Sequence, residues 1–234
     1  MSKQNNKRHF IHPEGWKFAG ILFITSMILL FLSMPTALVT TGFLLTFFVL
    51  WFFRDPERDT PQDLNLIISS ADGKVCLIDE AYPPEELSME AEKMKRICVF
   101  MNVFDVHVNR SPMLGKIFYK NYIPGSFFNA SLDKASTENE RLILGMETEN
   151  GKKIAFVQIA GLVARRIICD VGIGSLLKAG EVFGLIRFGS RVDIYFPSDV
   201  SVMVLKGQKM IAGETIIGDF TKSSKSVKEY LDEK

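Results

Sequence analysis

The sequence predicts a mainly β protein of the α+β class, and three observations carry that reading. Residues 18–53 contain no Asp, Glu, Lys or Arg, which sets an apolar segment apart at the N-terminus. From Leu66 onward the apolar residues fall into short runs separated by glycine and proline, as in a chain of many short strands. Near the end, residues 171–181 align in register with residues 204–214, sharing a Val, a Gly and an Ala-Gly-Glu. Two strand–turn–strand copies of this kind pack face to face in a lipoyl-like or barrel-sandwich β domain, here with a few short helices and preceded by an N-terminal apolar helical hairpin.

The hairpin follows from the break at Ser33-Met34-Pro35-Thr36, which divides the apolar run into halves of about 17 residues. Each half suits a short membrane span or one arm of a re-entrant pair. Lys3, Lys7, Arg8 and Lys17 precede the run and Arg54 and Arg58 follow it, so both flanks are expected on the cytoplasmic face of the cell membrane. A cleaved signal peptide would need an apolar region of only about 7–15 residues and a small-residue cleavage site. Residues 1–53 are therefore read as a membrane-associated hairpin and residues 54–234 as one domain, joined by a charged, proline-containing linker at residues 52–58.

Strands are expected over 66–68, 75–78, 97–103, 117–122, 154–159, 167–169, 182–188, 192–196, 200–205 and 215–217. Residues 84–96, rich in Glu, Lys, Met and Ala, read as a helix, and a turn or two of helix is expected over 132–141. The polar tail 221–234 is expected to fray.

A chain of 234 residues suffices for one well-buried domain with an appendage. Its net charge of +1 and the lack of a basic cluster exclude nucleic acid as the main partner. Cys76, Cys98 and Cys169 are too widely spaced for a metal knuckle or a disulfide framework, and read as reduced thiols with no metal site.

Three Gly-Ser bonds are candidates for chemistry: Gly125-Ser126, Gly174-Ser175 and Gly189-Ser190. The second aligns with Gly207-Gln208 in the repeat and so occupies a turn that tolerates a residue other than serine. The first follows Pro124 and reads as a β-turn. Gly189-Ser190 instead interrupts a strand-like run, where glycine marks a bulge or a close backbone approach. Alone it reads as a bulge without chemistry. His9 and His12 precede the hairpin, which leaves His107 as the histidine able to act as acid or base in the domain, or simply as a hydrogen-bonded bystander. Asp72 precedes a turn glycine, and by itself suits an Asx-type turn.

Phe53-Arg54-Asp55-Pro56 after a membrane segment, Ala71-Asp72-Gly73, His107 after an apolar strand, Tyr122-Ile123-Pro124-Gly125, Lys134-Ala135-Ser136 to Asn139-Glu140-Arg141, and Phe188-Gly189-Ser190-Arg191-Val192-Asp193 occur in one order. Together they resemble the short bacterial form of phosphatidylserine decarboxylase, over about residues 52–218. The resemblance implies a proenzyme cut between Gly189 and Ser190 by autocatalytic serinolysis. Asp72 and His107 would form a relay couple activating Ser190, and Ser190 would become a covalent pyruvoyl cofactor. It further implies a Schiff base with the amine of phosphatidylserine in the membrane, loss of CO2 to give phosphatidylethanolamine, and α and β chains that stay associated; a homo-oligomer is compatible with it. Reprotonation after decarboxylation would fall to His107, with Asp72 or water as alternatives. Arg187 and Arg191 flank the site, though strand alternation would aim them outward. Some longer members carry a second histidine three residues before the equivalent of His107; here Phe104 stands there. Two other readings are a decarboxylase of another serine phospholipid, such as archaetidylserine, and a non-enzymatic, membrane-tethered lipoyl-like adaptor.

Overall fold

A computed structural model describes residues 10–87, 89, 92–130, 135–161, 166–187 and 189–223. The chain divides between Glu57 and Arg58 into two compact units.

In the first unit, α1 (Pro13–Phe31) begins where local chemistry favours a helix. His12 caps it by accepting from the Glu14 backbone N–H at 3.4 Å, Pro13 occupies a position that needs no N–H, and Glu14 lies in the positive first turn. Ser33, with φ of 54°, turns the chain into α2 (Thr36–Phe52). Small residues let the two helices approach closely: a Cβ on Gly42 would lie 2.3 Å from Ser26 Oγ. His12 N–H donates to Phe53 O at 2.8 Å and Ile11 bridges Arg54, which ties the two ends of the hairpin together. Phe23, Ile24, Phe31, Leu44 and Phe47 are exposed. Apolar surface left uncovered all round a helix pair suits lipid rather than water, and α1 is long and apolar enough to cross a membrane.

The second unit holds strands β1 (Leu66–Ile68), β2 (Gly73–Ala81), β3 (Met94–Met101), β4 (Val108–Arg110), β5 (Gly115–Ile123), β6 (Arg141–Thr148), β7 (Lys153–Ile159), β8 (Ile167–Cys169), β9 (Leu176–Leu177), β10 (Val182–Ile186), β11 (Ser190–Phe196), β12 (Val200–Val202), β13 (Lys209–Met210) and β14 (Ile216–Ser223). One turn of helix, α3 (Ala135–Glu138), precedes β6. The mainly β expectation holds. An eight-stranded antiparallel sheet runs β13-β2-β3-β11-β7-β6-β5-β9, beside three-stranded sheets β1-β14-β12 and β4-β10-β8.

The repeat read from the sequence forms both edges of the large sheet. β9 and β13 are its equivalent segments; β9 pairs with β5 and β13 with β2. Each copy turns through two glycines of positive φ, Gly174 (89°) and Gly180 (74°) in one, Gly207 (86°) and Gly213 (79°) in the other. The likeness extends to the strands they clasp: β2 and β5 share one burial pattern, and each has a register shift after its third residue. The two like strand pairs, β13-β2 and β9-β5, thus stand at equal distances in the strand order from the central pair β11-β7.

Strand alternation creates two cores. Val192, Ile194 and Phe196 of β11 join residues from all three sheets in the main, interior core. Tyr195 joins Leu87, Ala135, Ile143 and Val157 in a smaller core on the opposite face.

The helix expected over 84–96 does not form. Among the described residues there is a 3-10 turn at Glu85–Leu87, and β3 starts at Met94. Helix-favouring composition gives way because alternate residues of β3 are needed in both cores and Leu87 caps the outer one. The turn or two of helix expected over 132–141 is present as the single turn α3, with residues 132–134 outside the described residues and Arg141 already in β6. Thr221 to Ser223 continue β14, paired with β12 rather than frayed. Residues 224–234, Phe188, Lys134 and the N-terminal cations Lys3, Lys7 and Arg8, with His9, also lie outside the described residues.

Candidate active site

Ser190 is the first residue of β11, the strand hydrogen-bonded to β3 on one side and β7 on the other, and it stands opposite Met101. It has the parity of Val192 and Ile194, so its side chain faces the interior. The residue is fully buried, and Ser190 Oγ has no hydrogen-bond partner among the described residues. A buried hydroxyl left without a partner is costly, and it marks a position kept for something other than stability.

Gly189 precedes it with φ of 45°, in the left-handed region where a side chain would be strained. Its carbonyl is pressed against β7's continuation, since a Cβ on Gly161 would lie 2.0 Å from Gly189 O. The Gly189 carbonyl is therefore wedged in place by backbone. Of the rival Gly-Ser bonds, Gly174-Ser175 lies in a turn as expected, whereas Gly125-Ser126 is not the β-turn expected after Pro124 but part of a parallel bridge, Ser126 N–H donating to Glu138 O at 2.8 Å. Gly125 packs on the Glu138 and Asn139 backbone, with Ser126 bridging Asn139, and Ser175 Oγ accepts from Gly172 N–H in the exposed repeat turn.

His107 lies at the end of the 102–107 connection and is 1% exposed. Its carbonyl accepts from Ile186 N–H at 3.3 Å, which sets it beside the last residue of β10 on the approach to Gly189-Ser190. His107 Nδ1 lies 3.0 Å from Asp105 O. A carbonyl only accepts, so Nδ1 carries the proton and Nε2 has the lone pair that a base needs. Phe104 is exposed on the same connection, held by its N–H to Asn102 Oδ1 at 2.8 Å.

The Asp72 carboxylate meets Arg58 Nη2 with both oxygens at 3.0 Å and accepts from Ala212 N–H at 2.8 Å. Its turn still adjoins the site: a Cβ on Gly73 would fall 2.1 Å from Phe100 O and 3.2 Å from Met101 Cα. Arg58 was missed as a site residue because its charge reads as a membrane flank. The hydrogen bonds that hold Asp72 thus run to Arg58 and Ala212, while the His107 ring is oriented by Asp105.

On the opposite face of β11, Arg191 is buried rather than aimed at solvent. It makes a two-point ion pair with Asp193, Nε to Oδ1 at 2.6 Å and Nη2 to Oδ2 at 2.7 Å. It also donates to Ala130 O at 3.2 Å and to Ser136 Oγ. Burial alone would lower the guanidinium pKa, yet the Asp193 carboxylate holds it above its ordinary value. Asn139, fully buried, binds Phe128 O at 2.8 Å and Ala160 O at 2.7 Å through Nδ2 and accepts from Phe128 N–H at 2.9 Å. Arg191 thus ties Ala130 and Ser136 to β11, and Asn139 ties Phe128 to Ala160, next to the Gly161 wedge. Neither stands out by residue type; the signal for both is their place in the quoted motifs.

The interior face also carries a buried polar chain. Gln158 Nε2 donates to Asn109 Oδ1 at 2.8 Å, and Asn109 Nδ2 lies 3.6 Å from Met101 Sδ. Among the described residues no group of three or more His, Cys, Asp or Glu is arranged to hold a metal.

The family model described as phosphatidylserine decarboxylase matches residues 45–218. A protein of Rickettsia bellii named phosphatidylserine decarboxylase proenzyme is 50% identical over 220 residues, 94% of this chain and 94% of its own. One of the same name from Ruegeria pomeroyi is 54% identical over 209 residues, 89% of this chain and 94% of its own. The matched region contains Asp72, His107, Gly189 and Ser190, and the chain belongs to the phosphatidylserine decarboxylase family.

Proposed function

We propose that this chain is a proenzyme that cuts itself between Gly189 and Ser190 and then decarboxylates phosphatidylserine to phosphatidylethanolamine and CO2. The observation that carries the reading is a buried, unbonded serine hydroxyl next to a glycine carbonyl fixed by backbone contact. In the cut, His107 Nε2 takes the Ser190 hydroxyl proton and Oγ attacks the Gly189 carbonyl carbon. A C–O bond replaces the C–N bond, giving an ester. Loss of the Ser190 α-proton then expels the Gly189 carboxylate and leaves dehydroalanine, which adds water and releases ammonia to give a pyruvoyl terminus. Position 190 suits such a group, because its hydroxyl makes no bond that would be lost.

A pyruvoyl group at position 190 would supply a carbonyl able to condense with the serine amine of the lipid and an electron sink for the carbanion left at the serine Cα when CO2 departs. We assign His107 Nε2 to return a proton to that carbon. For Asp72 we propose support of His107 through the 69–73 turn, held in place by Arg58 and Ala212. Residues 1–53 would anchor the catalytic unit, residues 54–234, at the cytoplasmic face, where a headgroup can be reached while its acyl chains stay in the bilayer. The two fragments would remain associated through the shared sheet.

Intact mass of the purified protein tests this reading. It should give two fragments meeting at Gly189 and Ser190, the smaller one blocked to Edman degradation. A chain that stays whole defeats it.

A further inference from the structure

Gln158 is fully buried on the interior face of β7, opposite Val192, and so diagonal to Ser190 across one strand pair. Its carboxamide orientation is fixed by neighbours. The Met101 thioether only accepts, so Asn109 turns Nδ2 toward it and presents Oδ1 to Gln158. Gln158 must then use Nε2 for Asn109, which leaves Oε1 pointing away from that bond. Gln158 Oε1 is buried and has no partner among the described residues. Ser190 Oγ, on the same face, has none either, so the two are not bonded to one another.

An acceptor oriented by a relay of buried groups and then left empty is held for a donor that arrives from outside. We propose that Gln158 is a substrate-binding residue whose Oε1 accepts a hydrogen bond from the amino group of the phosphoserine headgroup at position 190. The inference rests on the decarboxylase reading. Of the three polar groups in that headgroup, the phosphate and the carboxylate only accept; the ammonium alone brings N–H donors. Gln158 therefore selects the amine-first orientation and refuses the headgroup turned end for end. It takes no part in the cut, because Ser190 does not use it.

The test compares self-processed wild-type protein with Gln158→Met, which keeps the volume and removes the acceptor. Fragment masses, KM and kcat for phosphatidylserine in mixed micelles, and the calorimetric Kd of a glycerophospho-3-hydroxypropionate probe lacking the amine are measured. Both chains should be cut, the amine-free probe should bind both equally, and KM should rise about ten-fold in the variant, the size of one charge-assisted hydrogen bond. Gln158→Glu, whose fully buried carboxyl is kept protonated by desolvation and so can donate to Asn109 Oδ1 while turning its carbonyl oxygen to the site, should be cut and hold KM within about three-fold of wild type. Unchanged KM in a cut Gln158→Met protein overturns the proposal. So does equal weakening of probe and substrate, which would mark a structural role, or a ten-fold rise in KM in Gln158→Glu, which decides the matter if the Met variant fails to fold. Wild-type protein that is neither cut nor active defeats the decarboxylase reading instead.

Discussion

Gly161 and Gly189 touch backbone to backbone: the place a Cβ would take on Gly161 is 2.0 Å from the Gly189 carbonyl oxygen. That separation is far inside van der Waals contact, so Gly161→Ala must push the Gly189 carbonyl out of its place beside Ser190, and with it the bond proposed to be cut. Misalignment of a reacting pair by about 1 Å costs about a hundred-fold in rate. Fragment appearance on a denaturing gel should slow by about that factor, and cutting at the wild-type rate would refute the wedge.

Ser190→Ala should give one uncut, inactive chain. Because the hydroxyl is buried without a partner, its removal should also raise stability by about 1 kcal/mol relative to uncut wild-type chain. A denaturant titration checks the sign. A fall in the midpoint would mean that Oγ is bonded in solution.

His107→Ala should stop or greatly slow the cut, by about a hundred-fold or more, as expected for loss of a positioned base. The Asp105 contact should make His107→Gln better folded than His107→Ala but equally slow. Normal maturation of either variant, followed by mass spectrometry over time, would remove His107 from the mechanism.

Arg191→Leu should cost about 3–5 kcal/mol, since it strands a fully buried Asp193 carboxylate. The double variant Arg191→Leu/Asp193→Leu should recover much of that stability. Cutting should nevertheless remain slow in the double variant, because Ala130 and Ser136 lose their anchor beside Gly161. Restored cutting would reduce the ion pair to a stability element.

Cys98 should resist alkylation in the folded protein. Burial, with Asp193 adding to it, pushes its thiol well above the ordinary value and keeps it protonated at pH 8. Modification by iodoacetamide before unfolding, read by peptide mass, would contradict this.

Strands β2, β5, β7 and β11 were legible in the sequence as short apolar runs between turn residues, whereas β6, buried along nearly its whole length, was not expected. The repeat was legible at residues 171–181 and 204–214 because glycines of positive φ leave an invariant mark. Its wider reach through β2 and β5 was not, since a shared burial pattern tolerates many apolar residues. The helix expected over 84–96 failed because composition speaks for local preference, and β3 answers to two cores at once. At the site, glycine, serine and histidine announce themselves by type. Arg58, Asn139 and Gln158 do not, because their meaning lies in which neighbour each one meets.

The fragment that starts at Ser190 would carry β11 to β14, and three of its strands lie against strands of the earlier fragment: β11 between β3 and β7, β13 on β2, β14 on β1. Breaking one peptide bond at the head of β11 therefore changes the molecularity of unfolding without changing the fold. The uncut chain melts as one molecule at a temperature indifferent to dilution. The mature protein must come apart into two, and its melting temperature should fall as it is diluted.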